Sequence, residues 1–209
     1  MALQSTALWA KIDLSLPSLA LVHVCLDRSN GALLDVTYKQ TESQDFTLPR
    51  DVFALLLQHR DRIQGIDLKV PSVVFGELVK LLADPLPNLT YLRLRHWDTG
   101  NAVDFPEAIG SDRLWDTLHT LVIGCVHFPR GWMIHRFAAL RVVKINFLHR
   151  PGNDFTLQDL LQMLRCCNTT LEVLKVSTTL EIGRMEPVID LSRLRKLSLQ
   201  SFGDRKSVV

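Results

Sequence analysis

A six-residue pattern of apolar positions recurs along the chain and constrains its fold more than any other feature. Its first, fourth and sixth positions are apolar, as in Leu89-Thr90-Tyr91-Leu92-Arg93-Leu94. The last positions of each copy alternate with a period of two, which predicts a short strand with the fourth and sixth side chains on one face. Eight copies, two of them degenerate, begin at Trp9, Gly31, Ile63, Leu89, Leu118, Leu140, Leu171 and Leu194.

The spacing of the copies identifies the kind of repeat. Successive copies start 22, 32, 26, 29, 22, 31 and 23 residues apart, close to the period of about 20–29 residues that leucine-rich repeats have. Leucine supplies 37 of the 209 residues. A single short strand cannot enclose a core, so the strands must stack and merge their leucines into one continuous core.

Segments with helical period lie between the strands. Ser18 and Thr156 are suitable N-caps for two of them. Strands joined by crossover helices must run parallel, because an antiparallel pair needs no more than a tight turn. The prediction is an α/β, leucine-rich-repeat-like solenoid, with a curved parallel sheet and helices on its convex side. The predicted helices are Leu19–Leu26, Asp51–His59, Val73–Leu82 and Leu157–Cys166.

Charge, hydropathy and cysteine usage limit the cellular compartments in which the protein is expected. The formal net charge is +2, too small to indicate nucleic-acid binding by itself. The longest apolar runs, Leu19–Leu26 and Val52–Leu57, are far shorter than a membrane span of about 20 residues. Cys166 and Cys167 are adjacent, which suits neither a disulfide framework nor a zinc site. These features predict a cytoplasmic or nuclear protein that does not associate with membranes.

Sequence motifs for catalysis are missing. The chain has no Gly-x-Ser-x-Gly elbow, no glycine-rich phosphate loop and no His-Glu-x-x-His helix. Cys125 and His127 could face the same way at a strand end, but a zinc site needs four ligands. The sequence therefore predicts a protein without catalytic residues, cofactor or metal, and not an enzyme.

The positions between the leucines carry the candidate binding surface. If the fourth and sixth positions point into the core, the fifth and seventh face the concave surface. The fifth positions begin acidic and become basic: Asp13, Asp35, Asp67, Arg93, Val122, Lys144, Lys175 and Ser198. The hypothesis is a bipolar groove whose basic half binds an acidic partner segment, through Tyr91, Arg93, Arg95, Lys144, Asn146 and Lys175.

Two alternatives to this groove stay open. Exposed strand positions are polar by default, so the change of sign along the row could be accidental. Nucleic acid is a weaker partner hypothesis, because Val122 interrupts the basic row and no aromatic side chains are placed to stack on bases.

Three segments carry a family resemblance. Leu8-Trp9-Ala10-Lys11-Ile12 resembles the Leu-Trp-x-x-Ile segment that closes the F-box in basidiomycete-type F-box proteins. Leu26–Val36 resembles the stretch that follows it there, with Leu33 where proline is usual, and Leu86–Leu94 is similar to a typical leucine-rich strand entry. Nearly the whole chain resembles the leucine-rich region of that family.

The resemblance implies the substrate-recognition part of a Skp1–cullin–F-box ubiquitin ligase, whose repeats hold an unknown target protein. The helical F-box that docks on Skp1 should precede Trp9, where eight residues stand. The expectation is that this chain does not bind Skp1 in the family's mode unless an F-box lies upstream. The expected organisation is an F-box-end remnant with the first strand at 1–14, repeats at 15–202 and a polar tail at 203–209. The alternative function is a free-standing leucine-rich scaffold or inhibitor.

Overall fold

Eight short strands pair side by side into a parallel sheet. The computed structural model describes residues 5–15, 18–39, 50–70, 86–96, 103–104, 116–124, 126–127, 137–146, 157–177 and 189–200. The strands in these ranges are β1 (Lys11–Asp13), β2 (Leu34–Lys39), β3 (Ile63–Val70), β4 (Tyr91–His96), β5 (Val103–Asp104), β6 (Thr120–Gly124), β7 (Val126–His127), β8 (Val142–Asn146), β9 (Val173–Ser177) and β10 (Lys196–Gln200). The sheet has the order β1-β2-β3-β4-β6-β8-β9-β10, and β5 pairs with β7 separately.

The described helices agree with three of the four predicted segments. They are α1 (Thr6–Trp9), α2 (Leu19–Arg28), α3 (Arg50–Gln58) and α4 (Leu157–Cys166). The Ser18 side chain accepts a hydrogen bond from the Leu21 amide, which confirms the predicted cap of α2. The predicted helix Val73–Leu82 and the predicted cap Thr156 lie outside the described residues. The described chain is thus an α/β protein with one eight-stranded parallel sheet and few helices.

The core lies between one face of the sheet and the helices. Along β4, Leu92 and Leu94 have no exposed surface, whereas the alternate residues Tyr91, Arg93 and Arg95 are half-buried. The same alternation runs through β6, β8 and β9. Helices α2, α3 and α4 add Val22, Leu56 and Met163 to the same hydrophobic cluster. The period-two pattern therefore places the repeated apolar positions against the helices, as predicted.

A tight turn introduces several of the strands. The amides of Leu89, Leu140 and Leu194 each donate to the carbonyl three residues earlier, at 3.0–3.1 Å. Threonine hydroxyls near these turns reach back to the preceding repeat: Thr117 donates to the Leu89 carbonyl at 2.8 Å and Thr170 to the Leu140 carbonyl at 2.8 Å. The turns that end at Leu89 and Leu140 are thus tied to the repeat that follows each of them.

The register of β2 corrects the predicted row of exposed positions. The sequence pattern puts Asp35 at the fifth position, but Thr37 pairs with Asp67 and Asp13, and Asp35 pairs with Gly65. The core positions of β2 that match those of the neighbouring strands are therefore Val36 and Tyr38, and Gln64 forms a one-residue bulge in β3 just before this register begins. The degenerate second copy was therefore aligned two residues too early.

The last strand departs from the burial pattern. Leu197 and Leu199 are the fourth and sixth residues of the last repeat copy and lie on β10, yet 55% and 64% of their surface is exposed. Their register with Leu174 and Val176 is regular. Strand β10 stands at one end of the sheet, and β9 is its one neighbour among the described strands.

Tyr38 gives the fold a dependence on alkaline pH. The side chain is 2% exposed, and burial raises its pKa from 10 to about 12. The folded state therefore favours the neutral phenol. Its contribution to stability is complete below pH 10 and is lost as the pH rises towards 12.

We expect this loss to appear as a difference between the native chain and the variant Tyr38→Phe. Between about pH 9 and 11.5, the free energy of unfolding of the native chain should fall by about 1–2 kcal/mol more than that of the variant. Urea unfolding at a series of pH values measures it. Parallel pH profiles for the two proteins would contradict this account of Tyr38.

Candidate functional site

The face of the sheet opposite the core presents three aligned rows of side chains, at the third, fifth and seventh positions of the repeat. The fifth positions, in sheet order, are Asp13, Thr37, Asp67, Arg93, Val122, Lys144, Lys175 and Ser198. The seventh positions from β2 onward are Lys39, Lys69, Arg95, Gly124, Asn146, Ser177 and Gln200. Neighbouring members of a row stand about 4.8 Å apart, so charges from distant parts of the chain come together.

Asp67 organises the centre of this face. It lies on β3 and is 8% exposed. Its Oδ2 atom is 3.6 Å from Nη1 of Arg93 and 4.0 Å from Nζ of Lys39, and its Oδ1 atom is 3.4 Å from Nη2 of Arg95. A carboxylate this buried needs such partners, because burying an isolated charge is costly. One carboxylate thus holds three cations.

The two arginines are held in place by this contact. Their side chains are 34% and 30% exposed, and their Nε atoms are buried without a hydrogen-bond acceptor among the described residues. The stem of Arg95 extends beside Gly124, where an added Cβ would lie 3.4 Å from its Cγ. Arg93 and Arg95 are therefore oriented by Asp67 before any partner arrives.

Lys144 and Lys175 differ from the arginines. They occupy neighbouring strands at the same level of the sheet, with Lys144 exposed and Lys175 half-buried. Within the described ranges neither ammonium group forms an ion pair with a carboxylate. Like charges opposite each other on adjacent strands repel, so an anion placed between the two lysines would relieve that repulsion.

These cationic residues line one groove, called here the basic groove. It has a volume of about 440 Å³ and runs from Arg93 and Arg95 on β4 to Ser198 and Gln200 on β10. Its wall and floor between these ends are formed by Val122, Gly124, Lys144, Asn146, Lys175 and Ser177. Five of the six predicted partner-binding residues are therefore brought together.

The sixth predicted residue, Tyr91, belongs to a different groove. It is the third residue of the repeat copy that begins at Leu89, and it lines a groove of about 490 Å³ together with Asp13, Asp35 and Asp67. The Asp35 carboxylate leans over Gly65, where any side chain would collide with it. The residues of the single bipolar groove that the sequence predicts are thus divided between two grooves, with the Asp67 ion pairs between them.

Sequence reasoning missed two members of the site. It counted Asp67 with the acidic half, although the carboxylate pairs with the basic residues. It also left out Lys39, because the second repeat was aligned two residues too early. The alternation continues to Tyr38 and so admits this register, but Leu34 and Val36 are buried as well and admit the earlier one equally.

The described cysteines are placed as packing residues. Cys25, Cys166 and Cys167 are free thiols. Cys167 has no exposed surface, and burial raises its pKa to about 12, so its nucleophilic thiolate is suppressed at neutral pH. The pair of Cys125 and His127 lies outside the residues whose side chains are described. No group of three or more His, Cys, Asp or Glu side chains in the described ranges is arranged to hold a metal ion.

Comparison with protein-family models, curated proteins and solved structures gives no match for this chain. In the part of the chain that the structure describes, no helix is both long enough and apolar enough to span a lipid bilayer. Function is therefore inferred from the chain's own residues.

Proposed function

We propose that this chain is a non-enzymatic protein-interaction module, a leucine-rich-repeat-like solenoid that binds an acidic segment of a partner protein in the basic groove. In this proposal the sheet curves and its exposed face is the concave one. The observation that carries it is a local excess of positive charge. At the described fifth and seventh positions of β2 to β9, which leave out Asp13 on β1 and Asp35 at a third position, Asp67 is the one carboxylate beside Lys39, Lys69, Arg93, Arg95, Lys144 and Lys175.

This excess exceeds the charge of the whole chain. Six cations and one carboxylate occupy these positions, whereas the formal net charge of all 209 residues is +2. Concentrated positive potential accelerates encounter with acidic partners and opposes basic ones. Arginine is also enriched at the centres of protein interfaces, and here two arginines are already oriented by Asp67.

The chemistry of the groove supports binding over catalysis. Its described lining side chains offer ammonium, guanidinium, amide and hydroxyl groups, and include neither histidine nor cysteine. An activated nucleophile needs an adjacent base. The lysines that line the groove are placed to form ion pairs with the carboxylates of a bound segment instead.

The resemblance to F-box proteins adds a more specific proposal. The basic groove would then hold the target of a Skp1–cullin–F-box ubiquitin ligase, with the F-box supplied by sequence upstream of Trp9. The alternative is a scaffold or inhibitor without a ligase connection. Recovery of Skp1 with a version of the protein carrying any upstream segment would favour the ligase, and its absence would favour the scaffold.

Charge reversal at the two lysines tests the binding proposal. The probe is a ten-residue peptide of alternating glutamate and serine, titrated against the chain at about 0.15 M salt. The variant Lys144→Glu/Lys175→Glu should bind it about ten-fold more weakly, because two attractive contacts become repulsive. Fluorescence anisotropy with a labelled peptide measures the dissociation constant.

A matched control separates the groove from the total charge. Lys11→Glu/Lys196→Glu changes the net charge equally on the same face of the sheet, outside the basic groove. It should change the dissociation constant by less than about two-fold at moderate salt, because screening limits distant charges. Equal effects of the two double variants would rule out the basic groove as the binding site.

A further inference from the structure

We infer that the basic groove is bipartite and selects an extended segment with two acidic residues four positions apart and a small residue midway between them. This inference rests on the proposed function, since it specifies the segment that the same groove binds. It follows from the separation of the cations, the shape of the floor between them and the direction in which the groove runs.

The cations stand at two separate places along the groove. Arg93 and Arg95 are on β4, whereas Lys144 and Lys175 are on β8 and β9. Strand β6 lies between and contributes no charge. At about 4.8 Å per strand, the Cα atom of Arg93 is about 10 Å from that of Lys144 and about 14 Å from that of Lys175. The groove therefore has an arginine end and a lysine end.

The Arg95 stem covers part of the floor between the two ends. Gly124 has no side chain, and an added Cβ there would lie 3.4 Å from Cγ of Arg95. Its neighbour on the exposed face, Val122, is half-buried. A small side chain of the bound segment fits beside the Arg95 stem, whereas a large one would meet it.

The direction in which the groove runs determines the spacing between the two acidic residues of the bound segment. Because it extends from β4 to β10, the segment crosses the strands over four strand spacings, about 19 Å. An extended chain advances about 3.3 Å per residue, so same-side residues four positions apart are about 13 Å apart. This matches the distance of about 12 Å from Arg93 to the midpoint of the two lysines.

The lining favours a polypeptide over a nucleic acid. Single-stranded nucleic acids gain affinity by stacking bases on aromatic rings. Among the described residues, those that line the basic groove include no aromatic side chain, and Tyr91 faces the groove lined by Asp13, Asp35 and Asp67 instead. Carboxylate side chains need no stacking platform, because ammonium and guanidinium groups recognise them directly.

Three nine-residue peptides test the spacing. The first carries glutamate at positions 3 and 7 and alanine at position 5, with glycine and serine elsewhere and both ends blocked. The second has the same composition with its glutamates adjacent, and the third has tryptophan at position 5. Calorimetric titration of the full chain should show the second and third binding about five-fold more weakly than the first.

A charge-swap experiment tests the two ends separately. On the variant Lys144→Glu/Lys175→Glu, a peptide with one glutamate and one lysine four positions apart should bind about five-fold more tightly than the two-glutamate or the two-lysine peptide. The arginine end still requires an acid, and the reversed end now requires a base. A uniform basic patch would not favour the mixed peptide.

The outcomes distinguish the inference from the proposed function. If reversal of the lysines weakens the first peptide but spacing and the central residue have no effect, the bipartite inference is wrong and the proposed function stands. If reversal changes the binding of no peptide, both are wrong. Tighter binding of a nine-nucleotide thymidine oligomer than of the first peptide would also overturn the inference.

Discussion

Replacing Leu121 with alanine should lower the free energy of unfolding by about 3 kcal/mol, the largest loss that we expect from a single substitution here. Leu121 has no exposed surface and lies on β6 between Leu92 and Val143 of the adjacent strands. The substitution removes buried methyl groups and leaves a cavity in a core that spans the whole sheet. Thermal unfolding should shift down by about 6–12 °C for a chain of this size.

The neighbouring residue provides the control. Val122 is on the same strand but faces the basic groove and is half-buried. Val122→Ala should cost about 1 kcal/mol or less, so the two variants report which face of β6 meets the core. Chemical unfolding gives both values under the same conditions. A loss for Val122→Ala as large as that for Leu121→Ala would contradict the assigned faces.

Asp67→Asn should destabilise the chain by about 1–2 kcal/mol. Removal of one partner from a fully buried ion pair costs about 3–5 kcal/mol, but the cations around Asp67 are between 30% and 56% exposed, so water screens part of the interaction. The asparagine keeps the shape of the side chain while removing the charge. Unfolding in urea at neutral pH measures the difference.

A double-mutant cycle assigns this loss to the ion pairs. Arg95→Gln combined with Asp67→Asn should be less destabilising than the sum of the two single substitutions, with a coupling energy of about 1 kcal/mol. Lys175→Gln is the matched control, since Lys175 lines the same groove without contacting Asp67. Coupling of equal size in both cycles would mean that Asp67 acts through the general field and not through its contacts.

The alternating face of the strands could be predicted from the sequence because it depends on local order. A period of two determines which residues of β4 are buried once a strand forms there, and Leu92 and Leu94 are buried as predicted. Helices α2 and α4 also agree with the sequence, because a cap and an apolar stripe are local signals. The parallel order of the strands followed from the length of the connections.

The register between strands could not be read in the same way. The second repeat is degenerate, and two alignments of it keep the same residues on the same face. The pairing of Thr37 with both Asp13 and Asp67 decides between them. That register brings Lys39 within 4.0 Å of Asp67, a contact between residues far apart in the chain.

Exposure at the end of the sheet is a second limit. Leu197 and Leu199 follow the repeat pattern as well as any leucine in the chain, yet they are exposed on β10. A sequence pattern indicates which face a side chain occupies. Burial depends in addition on what packs against that face.

Asp67 makes the arginine end and the lysine end of the basic groove electrostatically unequal. The arginine end is neutralised in part by Asp67 and fixed in place, whereas the lysine end keeps both charges without an ion-pair partner among the described residues. Most of the gain in free energy from an acidic partner should therefore come from the lysines. The arginines contribute direction, because oriented guanidinium groups lose little freedom on binding.

Amide chemical-shift mapping tests the central claim most directly. The isotope-labelled chain is titrated with the nine-residue peptide that carries two glutamates four positions apart. We predict that the shifted amides cluster on β4, β6, β8 and β9, at Arg93, Gly124, Lys144 and Lys175. Shifts confined to helices α2 to α4, or spread evenly over the surface, would contradict the proposal that the exposed face of the sheet is the binding surface.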